Sequence, residues 1–127
     1  MTIRIIKDLC NNIYNTLGSG YRENIYVNAL CVELREKNYL FGTEVIVPIN
    51  YKNVQVGFER ADIIIYEPFK CILEFKAQHQ RISDKEITQL NKYLKNFNSR
   101  EIQNGLLINF GNKLEFHEID TNKSIII

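Results

Sequence analysis

Apolar and polar positions divide the chain into stretches of two different periods. Ile3, Ile6, Cys10, Ile13 and Leu17 recur at helical spacing, which predicts a one-sided amphipathic helix over residues 3–17. Gly18-Ser19-Gly20 breaks it, and a second helix is predicted from Tyr21 to about Lys37, with Tyr26, Val27, Leu30 and Leu34 on one face. The pattern then becomes strand-like over 43–49, 54–66 and 71–77, all rich in Val, Ile, Phe and Tyr. Pro48 and the Asn50–Asn53 region suggest the first turn between these strands, and Glu67-Pro68 the second.

Ser83-Asp84-Lys85-Glu86 carries a capping-box pattern, Ser at the cap and Glu three residues on. It opens a predicted helix running to about Asn96, with Ile87, Leu90, Leu94 and Phe97 facing inward. Strands at 105–110 and 114–119, joined by a turn at Gly111-Asn112, complete the order α-α-β-β-β-α-β-β. This order predicts an α/β (α+β) domain with helices packed on one central sheet. Ser124-Ile125-Ile126-Ile127 is expected to add an edge strand, meet a partner or fray.

Composition narrows the class without naming a function. With 127 residues the chain is expected to form a single domain over 1–127, and 45% hydrophobic with 24% charged residues is ordinary for a globular protein. The net charge of +1 excludes a polybasic coat and an acidic tail. It is unevenly spread: residues 1–68 carry −1, 69–100 carry +4 and 101–127 carry −2. A phosphate-facing surface is therefore sought in 69–100, although a solvated helix face would give the same count. Cys10, Cys31 and Cys71 form no CxxC pair and sit among apolar neighbours, which predicts buried thiols in a reducing compartment. The N-terminus lacks signal-peptide features and no apolar run approaches membrane-spanning length, so an intracellular, cytoplasmic or nucleoid-associated protein without membrane contact is expected.

The candidate chemistry lies in ionisable residues on faces that periodicity turns inward. Glu23 shares its helix face with Val27, Leu30 and Leu34, where a carboxylate is costly unless a partner, proton or metal compensates it. In the first helical turn it would also simply complement the helix dipole. Asp62 falls on one strand face with Val54, Val56, Phe58, Arg60 and Ile64, directly before Ile63-Ile64-Ile65. Glu74 and Lys76 share a face of the next strand while Leu73, Phe75 and Ala77 take the other. A lone Glu-x-Lys reads equally as an exposed cross-strand ion pair.

A hairpin joining Asp62 to Glu74-x-Lys76 across eleven residues brings two carboxylates and an ammonium to one point. Close carboxylates repel, and oxygen donors of this kind suit Mg²⁺ or Mn²⁺, which retain waters and accept phosphate oxygens. Lys76 would steady charge in a phosphodiester-cleaving transition state. Gln89 and Tyr93, four apart on the following helix, would hold a phosphate or orient water; a polar helix flank is the plainer reading. His79 and His117 lack ligand spacing and are read as surface residues.

Gly20-Tyr21-Arg22-Glu23-Asn24-Ile25-Tyr26 spells GxxExxY. With Arg60-Ala61-Asp62, Glu74-Phe75-Lys76-Ala77, Gln89-Leu90-Asn91-Lys92-Tyr93-Leu94 and Gly105–Gly111, the chain resembles the GxxExxY family of the PD-(D/E)XK nuclease superfamily over about residues 17–119. The resemblance implies a restriction-endonuclease-like core, a central mixed sheet flanked by helices. It implies Asp62 and Glu74 as ligands of Mg²⁺ or Mn²⁺, with the Phe75 carbonyl as a further ligand. Lys76 would be the catalytic lysine, Glu23 the acidic residue of the core helix, and Gln89 and Tyr93 a QxxxY motif. Ala61 stands where the superfamily's name has Pro, and Phe75 where Leu is more usual.

The implied function is a metal-dependent nuclease acting on DNA, in repair, recombination, mobile-element or defence metabolism. The alternative is a non-catalytic nucleic-acid-binding or scaffold subunit on the same fold. No appended recognition module is evident, so specificity would come from a homodimer, a partner subunit or recognition of structure.

Overall fold

The computed structural model describes residues 2–96 and 104–120. Its elements follow the predicted order: α1 (Thr2–Leu17), α2 (Glu23–Glu36), β1 (Leu40–Tyr51), β2 (Val54–Glu67), β3 (Cys71–Lys76), α3 (Asp84–Asn96), β4 (Asn104–Phe110) and β5 (Leu114–Asp120). The strands form one sheet in the order β1-β2-β3-β4-β5. Three neighbour pairs are antiparallel; β3 and β4 run parallel, joined through α3, as a parallel connection requires a crossover. The predicted mixed sheet flanked by helices is thus the observed architecture.

Two apolar layers sandwich the sheet. On one face α1 and α2 contribute Ile6, Cys10, Ile13, Tyr26, Leu30 and Leu34, packed on Ile63, Ile65, Leu73, Phe75, Ile108 and Phe110. On the other, Leu90 and Leu94 of α3 pack with Ile64, Ile72 and Leu107. The capping box forms as predicted: the Ser83 N–H donates to Glu86 Oε1 at 2.8 Å, and the Glu86 N–H donates back to Ser83 Oγ at 3.3 Å. All three cysteines are buried free thiols. No helix among the described residues is long and apolar enough to cross a membrane.

Two local expectations are corrected. Pro48 does not sit in a turn; it lies within β1, paired with Phe58, which is permitted because β1 is an edge strand and the missing N–H can face outward. The turn falls where the Asn50–Asn53 region predicts it and is made by Lys52 and Asn53, both with positive φ (50° and 66°), as a two-residue hairpin requires. Strict alternation along β2 also fails, since Ala61 joins the α3-side cluster while Ile63, two residues on, joins the opposite one. Phe97 and the Ser124–Ile127 tail lie outside the described residues.

Candidate active site

The β2–β3 ladder pairs Ile65 with Cys71, Ile64 with Ile72 and Ile63 with Leu73, and there it stops. Where the next rungs would lie, side chains replace the backbone. The Phe75 N–H donates to Asp62 Oδ2 at 2.8 Å, and the Asp62 N–H donates to Glu74 Oε2 at 3.2 Å. Each carboxylate therefore satisfies a main-chain donor of the opposing strand, which fixes both head groups in the gap. Along an extended strand the N–H and C=O of one residue point the same way, so the Phe75 carbonyl faces that gap too.

The electrostatics show two acids crowded together. Burial first, and then the neighbouring Asp62 charge, push the Glu74 carboxyl up to about 9 against the pull of the Asp62 N–H and Lys76. Asp62 is raised as well, first by burial, while the Phe75 N–H and Lys76 pull it down and Glu44 pushes it up. Lys76 follows on the same face of β3, within electrostatic reach of Asp62, Glu74 and Glu23.

Glu23 is a correction in its setting. It does not point into the core with Leu30 and Leu34; it is the first residue of α2 and exposed, where its charge also complements the helix dipole. Partial desolvation still raises its pKa, and it feels Lys76, Asp62 and Glu86. Its placement rests on the preceding loop. Gly20 adopts φ +106°, a region open to glycine, and Tyr26 Oη donates to the Gly18 carbonyl at 2.6 Å while accepting from the Tyr21 N–H at 3.2 Å. The Tyr26 ring stacks on Phe110 with centroids 4.2 Å apart. In the Gly-x-x-Glu-x-x-Tyr string, Gly allows the turn, Tyr locks it and Glu is delivered to the carboxylates.

Gln89 is exposed on α3, about one turn beyond Glu86; the side chain of Tyr93 lies outside the described part. The α3 residue that couples to the site is Glu86. Despite a desolvation penalty its carboxyl is held below the usual range by Ser83 and Gln78, with Lys76 adding to the pull.

The sequence reading passed over several residues. Glu44 drops out of the β1–β2 pairing with φ 49°, opposite Asp62, and adds its charge there. Asn109, 2% exposed, accepts from the Gln78 N–H at 3.0 Å and donates to the Gln80 carbonyl at 3.1 Å. It was visible as a polar residue inside Leu106-Leu107-Ile108-Asn109-Phe110, the same signal that singled out Asp62. His79 is exposed, as expected, whereas His117 is only partly so and pairs with Glu115 at 2.7 Å.

Among the described residues, no group of three or more His, Cys, Asp or Glu side chains is arranged to hold a metal ion. The donor set fits a hard divalent cation that keeps most of its water: two fixed carboxylates and a main-chain carbonyl, with the acids held close despite their repulsion.

The family model described as the PD-(D/E)XK nuclease superfamily matches residues 1–120. The crystal structure of SSO0001 aligns with a TM-score of 0.52 at 27% sequence identity, covering 77% of this chain and 50% of that one. The chain thus spans half the length of that protein. No curated protein matches the chain.

Proposed function

The chain belongs to the PD-(D/E)XK nuclease superfamily, and from that premise we propose that it is a metal-dependent nuclease of the GxxExxY type, one domain over 1–127, hydrolysing phosphodiester bonds of DNA. The observation that carries this reading is the cross-bonded pair Asp62 and Glu74 at the end of the β2–β3 ladder, with Lys76 beside it. Two desolvated carboxylates held together are unfavourable unless a proton or a cation joins them.

In this mechanism Asp62, Glu74 and the Phe75 carbonyl would hold Mg²⁺ or Mn²⁺. When bound, the ion would supply charge neutralisation at the phosphate and a more acidic water. The Lys76 ammonium stabilises the extra negative charge that gathers on the phosphate oxygens as water adds and the P–O ester bond breaks. Glu23, whose pKa is raised above its ordinary value by burial and neighbouring charges, would orient the attacking water and accept its proton. Gln89 and Tyr93 would hold the strand along α3. Biological roles in repair, recombination, mobile-element or defence metabolism fit this activity, inside the cell and with a homodimer or partner subunit adding specificity.

A second reading, a non-catalytic nucleic-acid-binding or assembly subunit, draws on the apolar outer face of the β1–β2 hairpin, where Ile46, Val54, Val56 and Phe58 are exposed. One experiment separates the two. Supercoiled plasmid and single-stranded circles are incubated with the protein in Mg²⁺, Mn²⁺ or EDTA, with the Glu74→Ala/Lys76→Ala double variant alongside. Cleavage that needs metal and vanishes in the variant is expected, and cutting of circles would show endonuclease action. If nothing is cut and neither ion raises the melting temperature, the enzymatic reading falls.

A further inference from the structure

One strand beyond the carboxylates lies a cavity of about 500 Å³. Its walls include His79 and Arg81 from the loop after β3, Asn109 of β4, and Asn112, Lys113 and Glu115 from the β4–β5 turn and β5. Asn109 is in register with Lys76, so the cavity begins on the strand next to the catalytic lysine, about 5 Å away across the sheet. A smaller cavity of about 110 Å³ shares His79 and reaches Gly20 and Tyr21, the loop that carries Glu23.

The walls are held rigidly. Asn109 bonds both the N–H of Gln78 and the carbonyl of Gln80, and the Ile82 N–H donates to both Glu115 oxygens at 3.2 and 3.1 Å. Opposite, Tyr14 Oη donates to the Gly111 and Asn112 carbonyls at 2.6 and 2.9 Å, and His79 is bonded to Asn112 at 2.8 Å. At Gly111 a Cβ would lie 2.2 Å from the Gln78 carbonyl, so the loop and the turn touch backbone to backbone. Glu115, the one acid in the wall, is spent on the Ile82 N–H, Asn109 and His117. Arg81 and Lys113 are both exposed, and among the described residues neither pairs with a carboxylate.

We propose that this cavity is a second phosphate site, in which Arg81 and Lys113 clamp a backbone phosphate of the nucleic-acid strand flanking the bond cleaved at Asp62 and Glu74. The proposal rests on the nuclease reading for the identity of the strand. The fold gives the site its purpose: the strand is pinned on one side of the scissile bond by a fixed, cationic pocket, so Lys76 meets phosphorus in a defined register.

The test measures binding apart from cleavage. Affinity for a short fluorescein-labelled DNA strand is followed in EDTA across a salt series, for the wild type, Arg81→Ala/Lys113→Ala and the control Lys37→Ala/Lys70→Ala, two exposed lysines at the other end of the sheet. The cavity variant is expected to bind about tenfold more weakly and to lose about 0.7 or more from the slope of log affinity against log salt, one phosphate contact on a single strand. The control should lose less than half as much. Equal affinity and slope in the wild type and the cavity variant, or equal losses in both double variants, would overturn the proposal. Plasmid cleavage in Mg²⁺ by the same proteins keeps the two ideas apart. No cutting by the wild type and no metal-induced rise in its melting temperature, with a cavity-dependent salt slope, removes the nuclease reading and leaves the phosphate site standing. Cutting that ignores Arg81 and Lys113, with unchanged binding, does the reverse.

Discussion

The two halves of β2 are built from similar apolar residues and meet opposite fates. Ala61, Ile63, Ile64 and Ile65 are fully buried, with helices covering both faces of the sheet around them. Val54, Val56 and Phe58, on the same strand, stand 62%, 63% and 51% exposed on a hairpin flanked by β1 alone. Asp62 sits at the junction. β-Branched and aromatic residues make both halves extended, but burial needs a neighbour on the face, and the outer half has none. The inner half can therefore desolvate a carboxylate and change its chemistry, while the outer half leaves its charges in water.

Substitutions at the inner end should act on chemistry. Asp62→Ala or Lys76→Ala is expected to lower cleavage by about 10³-fold with the circular dichroism spectrum unchanged, the scale of losing one transition-state electrostatic contact. Phe58→Ser, at the outer end, should leave cleavage within about twofold. A Phe58 variant that loses cleavage as deeply would erase the distinction between the halves.

Packing should be next in size. Gly111→Ala forces a Cβ against the Gln78 carbonyl and is expected to cost about 1–3 kcal/mol in urea unfolding, since backbone rather than a flexible side chain must yield. A cost below about 0.5 kcal/mol would mean that the loop after β3 is free to move.

The acid pair predicts a pH dependence. Because the folded pKa of Glu74, about 9, lies above its ordinary 4.5, the folded state keeps a proton that the unfolded chain has released. The contribution is full below about 4.5 and is lost as pH rises towards 9, so metal-free stability should fall across that window. Glu74→Gln should flatten the fall and melt about 3 °C or more higher than the wild type at pH 8 in EDTA. Mg²⁺ or Mn²⁺ should raise the wild-type melting temperature and leave that variant unmoved. Parallel pH profiles for the two proteins would refute the assignment.

The smallest effect belongs to the exposed hairpin, where Val56→Ser should change stability by no more than about 0.5 kcal/mol, as a residue already in water has little burial to lose.

Much of this was legible in the amino-acid order. Helical spacing placed α1, α2 and α3, Ser83 and Glu86 announced the α3 cap, and Asp62 and Glu74-x-Lys76 stood out as charges within apolar strands. These are short-range signals: a residue's period, cap or turn chemistry is set by neighbours a few positions away. Pro48 misled for the same reason, because whether a strand lies at an edge is not written locally.

Tertiary structure decided the rest. The β2–β3 ladder stops at Ile63 and Leu73, and only that lets Asp62 and Glu74 bond each other's strand. Assembly also exposes Glu23 beside the acids, sets Glu44 opposite Asp62 and brings Glu86 within reach of Lys76. Asn109 came to matter only once β4 lay against β3. Sequence determined which residues carry charge and in what order the elements come. How much water each charge loses, and which other charges it faces, depends on segments far apart in the chain, and those two quantities set the chemistry of the site.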